Sequence, residues 1–478
     1  MEGNGQAVLL ESEEPGPRVR TLNNVLLLDG TGENPPRASS ITFAPDGTIS
    51  SIELGAEGEC ELMAEPAVVN IHAHGIIPGT PLFSSASEPP VPKQTLENLR
   101  IHLRQGTGTI ISADNFCDPI RVRNVRKVFP HLSIYTLSNV NPHALAAARC
   151  VDGRGLTGAR FLDTETQIKR HPDVVIGVGE VGSGATFLGG VAAYRIIPGI
   201  VRARCGVELG ERGGERLKKA LYDLRTLIPR ESPKELKEYR EAAADLGIPV
   251  GSMKGIRCDI VERLGPAVKE EMESTRYAAQ MALMTGAPML VHTGLPSLGV
   301  IERIADLPPV LVLGHTNHPA IPPDEAMAWV RSIKDRRKYP TYAGASTFNS
   351  AREGFTDEVE TFVRFIEEGA ADIISTDYGA GHHDPIRGRV LAACEETGKE
   401  YWRVLPTFTS TPAGVFELDS GVLAEGRPAD VVLANIDDPR TPLAVVHRGR
   451  IAYRAEGTED VLSGCLELKG PSTIEGEG

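Results

Sequence analysis

The sequence predicts an α/β protein: a (β/α)8 barrel with a β-sandwich domain built from both termini. Three observations lead there. Short apolar, β-branched runs alternate with helical patterns through the middle of the chain, as in a parallel sheet with crossover helices. Five of those runs end in a residue able to ligate a metal or move a proton, which is where a TIM-type barrel collects its chemistry. Both ends of the chain read instead as short strands joined by Gly, Pro and Asp-Gly turns.

Length and composition bound the rest. At 478 residues the chain exceeds one ordinary hydrophobic core, so a large domain plus a smaller one is expected. A hydrophobic content of 41% with 24% charged residues is that of a globular protein. The net charge of -14 is spread along the chain without a basic face for phosphates, so nucleic acid is not expected as a partner. The 7 cysteines are scattered and form no C-x-x-C pair, which predicts reduced thiols in a cytoplasm rather than a disulfide frame or a thiolate zinc site. No signal-peptide pattern opens the chain, and no apolar run approaches the roughly 20 residues of a membrane helix, so no membrane partner is expected either.

Taken in order, residues 1–65 form the first part of the sandwich. R-T-L-N-N-V-L-L-L-D-G-T-G and S-S-I-T-F-A-P-D-G-T-I-S-S-I-E-L carry hairpin signals at Asp29-Gly30 and Asp46-Gly47. The barrel spans residues 66–411. Its eight strands are expected at Pro66–His74, Thr107–Ala113, Leu132–Leu137, Val174–Gly182, Pro288–Thr293, Val310–His315, Thr341–Ser346 and Ala371–Asp377, with helices such as Thr95–Gln105 and Glu325–Asp335 between them. An insertion at about 184–287 is far longer than an ordinary connection. It begins with what reads as an elaborated loop, G-G-V-A-A-Y-R-I-I-P-G-I. Helices follow at Glu215–Leu227 and Pro233–Leu246, then the short apolar piece I-P-V-G-S-M-K-G-I and a helix at Ala267–Thr285. It is expected to line or cover a substrate pocket, the rival being a surface or oligomer-contact insertion. Residues 412–478, with G-V-L-A-E-G-R-P-A-D-V-V-L-A-N-I and A-V-V-H-R-G-R-I-A-Y-R, complete the sandwich.

The chemistry begins at V-V-N-I-H-A-H, where period-two alternation puts His72 and His74 on one side of a strand tip. V-V-I-G-V-G-E ends at Glu180, P-M-L-V-H at His292, V-L-V-L-G-H at His315 and A-D-I-I-S-T-D at Asp377. One such residue alone is ordinarily a satisfied structural polar group. Six in this order, at the ends of strands one, four, five, six and eight, point to a metal centre of imidazole and carboxylate.

That ordered set resembles the amidohydrolase superfamily of metal-dependent hydrolases, and within it enamidase. The resemblance is carried further by G-L-T at Gly155–Thr157, V-G-E-V-G at Val178–Gly182, V-H-T-G at Val291–Gly294 and the C-terminal G-R-P-A-D-V-V-L. It covers the chain apart from the insertion, which the enamidase pattern lacks. It implies two divalent ions, zinc foremost, although iron, manganese and cobalt suit the same donors. His72, His74 and Asp377 would hold one ion, His292 and His315 the other, and Glu180 would bridge them where many members use a carboxylated lysine. A hydroxide shared by the ions would attack a small amide, lactam, imide or carbamate-like substrate, expected to be cyclic. Asp377 would act as general base and then acid toward the leaving nitrogen. Lys254 in G-S-M-K-G-I is the rival for Glu180's bridging place. His318, His382 beside His383, and Asn115 are candidates for substrate contact. Alternative readings are a metal-dependent deaminase or decarboxylase, and a non-catalytic barrel scaffold. The family's habit predicts a homo-oligomer, dimer or tetramer.

Overall fold

A computed structural model describes residues 13–55, 60–78, 91–151, 162–182, 192–223, 228–294, 297–318, 321–347, 357–377 and 384–468. Four strands open the chain: β1 (Val19–Leu27), β2 (Arg37–Phe43), β3 (Ile49–Leu54) and β4 (Leu62–Pro66). Asp46-Gly47 makes the turn between antiparallel β2 and β3, Asp46 accepting hydrogen bonds from the Thr48 amide and hydroxyl at 3.0 and 2.7 Å. Asp29-Gly30 does not close a two-residue hairpin. Residues 28–36 separate β1 from β2, and Asp29 ties this longer loop by accepting from Thr31 and Asn34.

The barrel strands are β5 (Val68–Ala73), β6 (Thr107–Ser112), β7 (Ser133–Ser138) and β8 (Val175–Val181). After a two-stranded hairpin of β9 (Tyr222–Asp223) and β10 (Ile228–Pro229) in the insertion come β11 (Met289–His292), β12 (Leu311–Gly314), β13 (Thr341–Ser346) and β14 (Ile373–Ser375). The eight barrel strands pair in parallel in chain order from β5 to β14. The three residues of β14 form a parallel ladder with β13, and β14 meets β5 on its other side through Asn70, Thr376 and one backbone hydrogen bond. Asn70 Nδ2 donates to Thr376 Oγ1 at 2.8 Å, Asn70 Oδ1 accepts from the Thr376 amide at 3.2 Å, and the Asp377 amide donates to the His72 carbonyl at 2.9 Å. Inside, Val69, Ile71, Ile111, Leu137, Leu290, Val312 and Ile373 pack with Ala413, Val415 and Phe416, so the segment after the last barrel helices fills the barrel core. The expected helices run Lys93–Arg104 and Pro323–Arg336, each within two residues of the sequence reading.

The insertion departs from expectation. G-G-V-A-A-Y-R-I-I-P-G-I is not a loop over its described part, which runs as a π-helical turn Ala192–Ile196 into a helix Ile197–Cys205. Helices Glu211–Leu221 and Pro233–Asp245 follow. The last helix is Val250–Thr285, so the short apolar piece around Lys254 is its first turns and not a strand. The capping box at Ser232 and Glu235 starts Pro233–Asp245. Ile197, Val201, Leu217, Tyr222, Tyr239, Ile256, Ile260 and Leu264 pack together, giving the insertion an apolar core of its own.

After the barrel, β15 (Val431–Asn435), β16 (Pro442–His447), β17 (Arg450–Arg454) and β18 (Leu466–Leu468) return to the first four strands. The sheet order is β17-β16-β15-β4-β1-β2-β3, with β18 on β1. Ile49 of β3 and Val446 of β16 share one core with Leu22, Ile41, Leu62, Val431 and Leu433, so the sheet folds over on itself as a sandwich. Strands from both termini thus make one small domain. Among the described residues no helix is long and apolar enough to cross a membrane.

A buried ion pair joins sandwich to barrel. Glu65 of β4 and Arg387 of the helix Ile386–Thr397 are both fully buried, with Arg387 Nε donating to Glu65 Oε1, which also accepts from the Tyr401 hydroxyl at 3.1 Å. Arg387→Leu leaves Glu65 buried without its cation and is expected to cost about 3–5 kcal/mol. Replacing both residues by leucine is expected to restore part of that stability, which chemical unfolding of the single and double variants checks.

Candidate metal centre

The site sits where the barrel strands end. The pairing register of β5 shifts between Asn70 and Ala73, so the strand tip does not follow simple alternation through its length. Val69 and Ile71 face the barrel core, Ala73 packs outward against Leu96, Leu99 and Val122, and His72 and His74 both turn inward. Gly179 precedes Glu180 with φ +114°, and a Cβ there would lie 2.1 Å from the Leu290 carbonyl oxygen, so glycine is required for β8 to pass β11 at this point. His315 and Asp377 hold left-handed backbone angles, φ +35° and +48°, at the ends of their strands, a strain that persists only where the surroundings impose it.

Six side chains converge on one centre. Glu180 Oε2 lies 3.3 Å from His72 Nε2 and 3.4 Å from His74 Nε2. Asp377 Oδ1 lies 3.2 and 3.3 Å from the same two nitrogens. The other oxygen of Glu180, Oε1, lies 3.0 Å from His292 Nδ1 and 3.1 Å from His315 Nε2, and those two nitrogens are 2.9 Å apart. One buried carboxylate therefore turns one oxygen toward each of two clusters. His72, His74 and Asp377 have ligand atoms close enough for one ion; His292, His315 and His318 form a second such group. His72 Nε2 is buried and makes no hydrogen bond although two carboxylate oxygens lie within 3.3 Å, as expected of a lone pair aimed at a shared point. Imidazole nitrogen and carboxylate oxygen are the donors zinc, iron, manganese and cobalt accept, so the residues fit a metal pair.

Charge at the centre is balanced within the protein. Burial opposes ionisation of Glu180, but the neighbouring His72 and the hydrogen bonds of His292 and His315 hold its carboxyl well below the usual range. Asp377 is held low in the same way, against burial, by His72 and His315. Burial disfavours the His74 cation, yet hydrogen bonds to Asp114, Asp377 and Glu180 raise its pKa well above 6.5. Burial and then the neighbouring His315, His292, Lys218 and Lys219 hold His318 well below 6.5.

Sequence reading named the six residues that meet here but missed Asp114. Its Oδ1 lies 3.0 Å from His74 Nδ1, and its Oδ2 accepts from the Gly75 amide at 2.9 Å and the Ser112 hydroxyl at 3.1 Å. A proton on Nδ1 leaves Nε2 bare toward the centre, so Asp114 sets the tautomer of His74. The available signal is its place at the tip of β6, beside Asn115. Asn115 does not reach for substrate through its amide nitrogen: Nδ2 donates to the Glu180 carbonyl at 2.7 Å and positions that residue. Lys254 is exposed on the helix Val250–Thr285, which removes it as the bridging group. His318 lies beside His292 and His315, with ring centroids 6.0 and 5.7 Å away. His382, His383 and Gly155–Thr157 lie outside the described residues.

No protein-family model matches the chain, and no curated protein matches it in sequence. Solved structures do match it in fold. The chain is similar to the β-aspartyl dipeptidase of the thermophilic, keratin-degrading Fervidobacterium islandicum AW-1 in complex with β-Asp-Leu dipeptide. That match has a TM-score of 0.52 at 13% identity, over 91% of this chain and 97% of that one. A second structure of that dipeptidase gives 0.50 at 14% identity over the same shares. Enamidase, described as a new member of the amidohydrolase superfamily, is also among the neighbours, with a TM-score of 0.46, 14% identity and 94% and 100% coverage. What the chain shares with the dipeptidase is the fold.

In the ion-free protein the His74 imidazole is expected to titrate above 6.5, and Asp114→Asn to move its midpoint down, read from histidine ring resonances. Because the folded pKa exceeds the unfolded one, the pair stabilises fully below pH 6.5 and progressively less as pH rises through the folded value. Unfolding across that range is expected to show this slope flattened in the variant.

Proposed function

We propose that the chain is a metal-dependent hydrolase of the amidohydrolase superfamily, cleaving a C-N bond in a small amide-like substrate such as a lactam, imide or carbamate. The observation that carries this reading is the division of Glu180, with Oε2 toward His72 and His74 and Oε1 toward His292 and His315. His72, His74 and Asp377 would hold one divalent ion, His292 and His315 the other, and Glu180 would serve both. Zinc is the first expectation. When bound, such a pair supplies an activated water and a Lewis acid for a carbonyl.

The protein's own groups have separate tasks. Glu180 and His72 are sealed in, with side-chain exposures of 2% and 1%, whereas Asp377 is 15% exposed. Asp377 is therefore the carboxylate best placed to meet substrate; held ionised, it accepts a proton from the attacking water and returns it to the leaving nitrogen. With an ion on Nε2 of His74, Asp114 would accept a hydrogen bond from the Nδ1 proton and hold the ring in place, and Asn115 holds the Glu180 backbone. The helix Glu211–Leu221 brings Lys218 and Lys219 near His318, which supports a part for the insertion in shaping the pocket. A dipeptidase sharing this fold is consistent with amide chemistry. The complete donor set argues against a non-catalytic scaffold. A bridging carboxylate favours two ions and hydrolysis over deamination.

Metal analysis of purified protein is expected to give two ions per chain, and a chelator is expected to abolish turnover in a panel of cyclic and linear amides. Turnover that survives complete chelation overturns the reading. Asp377→Asn is expected to lower kcat by about 10²–10⁴-fold if it is the proton carrier, with the fold intact by circular dichroism.

A further inference from the structure

We infer that His318 is a ligand, completing the second ion's site as three imidazoles and one carboxylate oxygen; this rests on the dinuclear reading above and gives that site one donor more. The ligand nitrogens of His292, His315 and His318 all lie within 4.8 Å of one another, so small side-chain shifts bring all three to bonds of about 2.0–2.1 Å on one ion.

The chain is built to put His318 there. After β12 ends at Gly314, His315 takes φ +35° and the chain turns back within three residues. The turn is pinned at both intermediate positions. The Thr316 amide and hydroxyl donate to the Gly344 carbonyl at 2.7 and 3.0 Å, and Asn317 exchanges hydrogen bonds with β13, giving Nδ2 to the Ser346 carbonyl and accepting from the Ser346 amide, both at 2.9 Å. The His318 carbonyl accepts from the Ile321 amide at 3.0 Å, so its backbone is held on the far side too. The His318 backbone is thus fixed from before and behind, beside two other imidazoles. Preorganisation of that kind is what an ion site requires. With Glu180 Oε1, the second site then has four protein donors, the closed number for zinc.

The test compares wild type, His318→Gln and His318→Cys, loaded with zinc and with cobalt. In a graded chelator titration, wild type is expected to hold two ions. His318→Gln is expected to keep the first and release the second at least about tenfold more easily, since losing even an outer-shell partner of a metal ligand costs about 10–100-fold in affinity. The cobalt form of His318→Cys is expected to gain thiolate-to-cobalt absorption, a signal that a substrate-contacting position would not give, and one that needs no turnover. Two ions held with unchanged chelator resistance in His318→Gln, together with no thiolate band in His318→Cys, overturn the inference and leave the dinuclear reading standing. A wild type that binds no ion, or only one, overturns both. Circular dichroism of each variant separates loss of a ligand from loss of fold.

Discussion

A buried carboxylate, Glu180, and a half-buried one, Asp377, meet among the imidazoles of His72, His74, His292 and His315 at the mouth of the barrel, and much of the architecture is arranged around that fact. A carboxylate taken out of water is costly unless charge or hydrogen bonds compensate it. Here the compensation comes from imidazoles at the tips of three different strands, β5, β11 and β12, none of which could be supplied by a neighbour in sequence. The barrel is the device that brings those strand tips together.

Its closure is correspondingly polar on one side. β14 is short and meets β5 through Asn70 and Thr376 rather than a full backbone ladder, and the same contact hands the Asp377 amide to the His72 carbonyl. The seam that closes the barrel and the placement of the proposed proton carrier are therefore one structure. Within the barrel, Val415 and Phe416 pack with the inward residues of β5, β6, β7, β11, β12 and β14, leaving an apolar core beneath the polar tips. That core lowers the local dielectric around the carboxylates and strengthens each contact they make.

The barrel strands were readable because each is a compact apolar run with a clear end, and parallel strands buried on both faces have that texture. The insertion was read less well. Ala192–Ile196, Ile197–Cys205 and the start of Val250–Thr285 together contain Gly, Pro and β-branched residues that local preference assigns to loop or strand, and the shared core of Ile197, Tyr222, Ile256 and Leu264 overrides it. Lys254 was a candidate only while its segment was taken for a strand; in a helix it is simply a solvated side chain. Asp114 and Asn115 show the same limit on a finer scale. Both stand at the tip of β6, and only the position of His74 across the strand pair decides that the aspartate orients an imidazole while the asparagine holds the Glu180 backbone.

By itself the sequence determined the order of strands, the donor residues at their tips and the pairing of the two termini, because these depend on short-range pattern: apolar runs, turn residues and a polar residue at a fixed end. The tertiary structure alone decided that Glu180 and not Lys254 stands between the two clusters, that His318 stands with His292 and His315, and that Asp114 meets the ring of His74. Those outcomes depend on distances between side chains far apart in the chain, which no local preference encodes and only closure of the barrel sets.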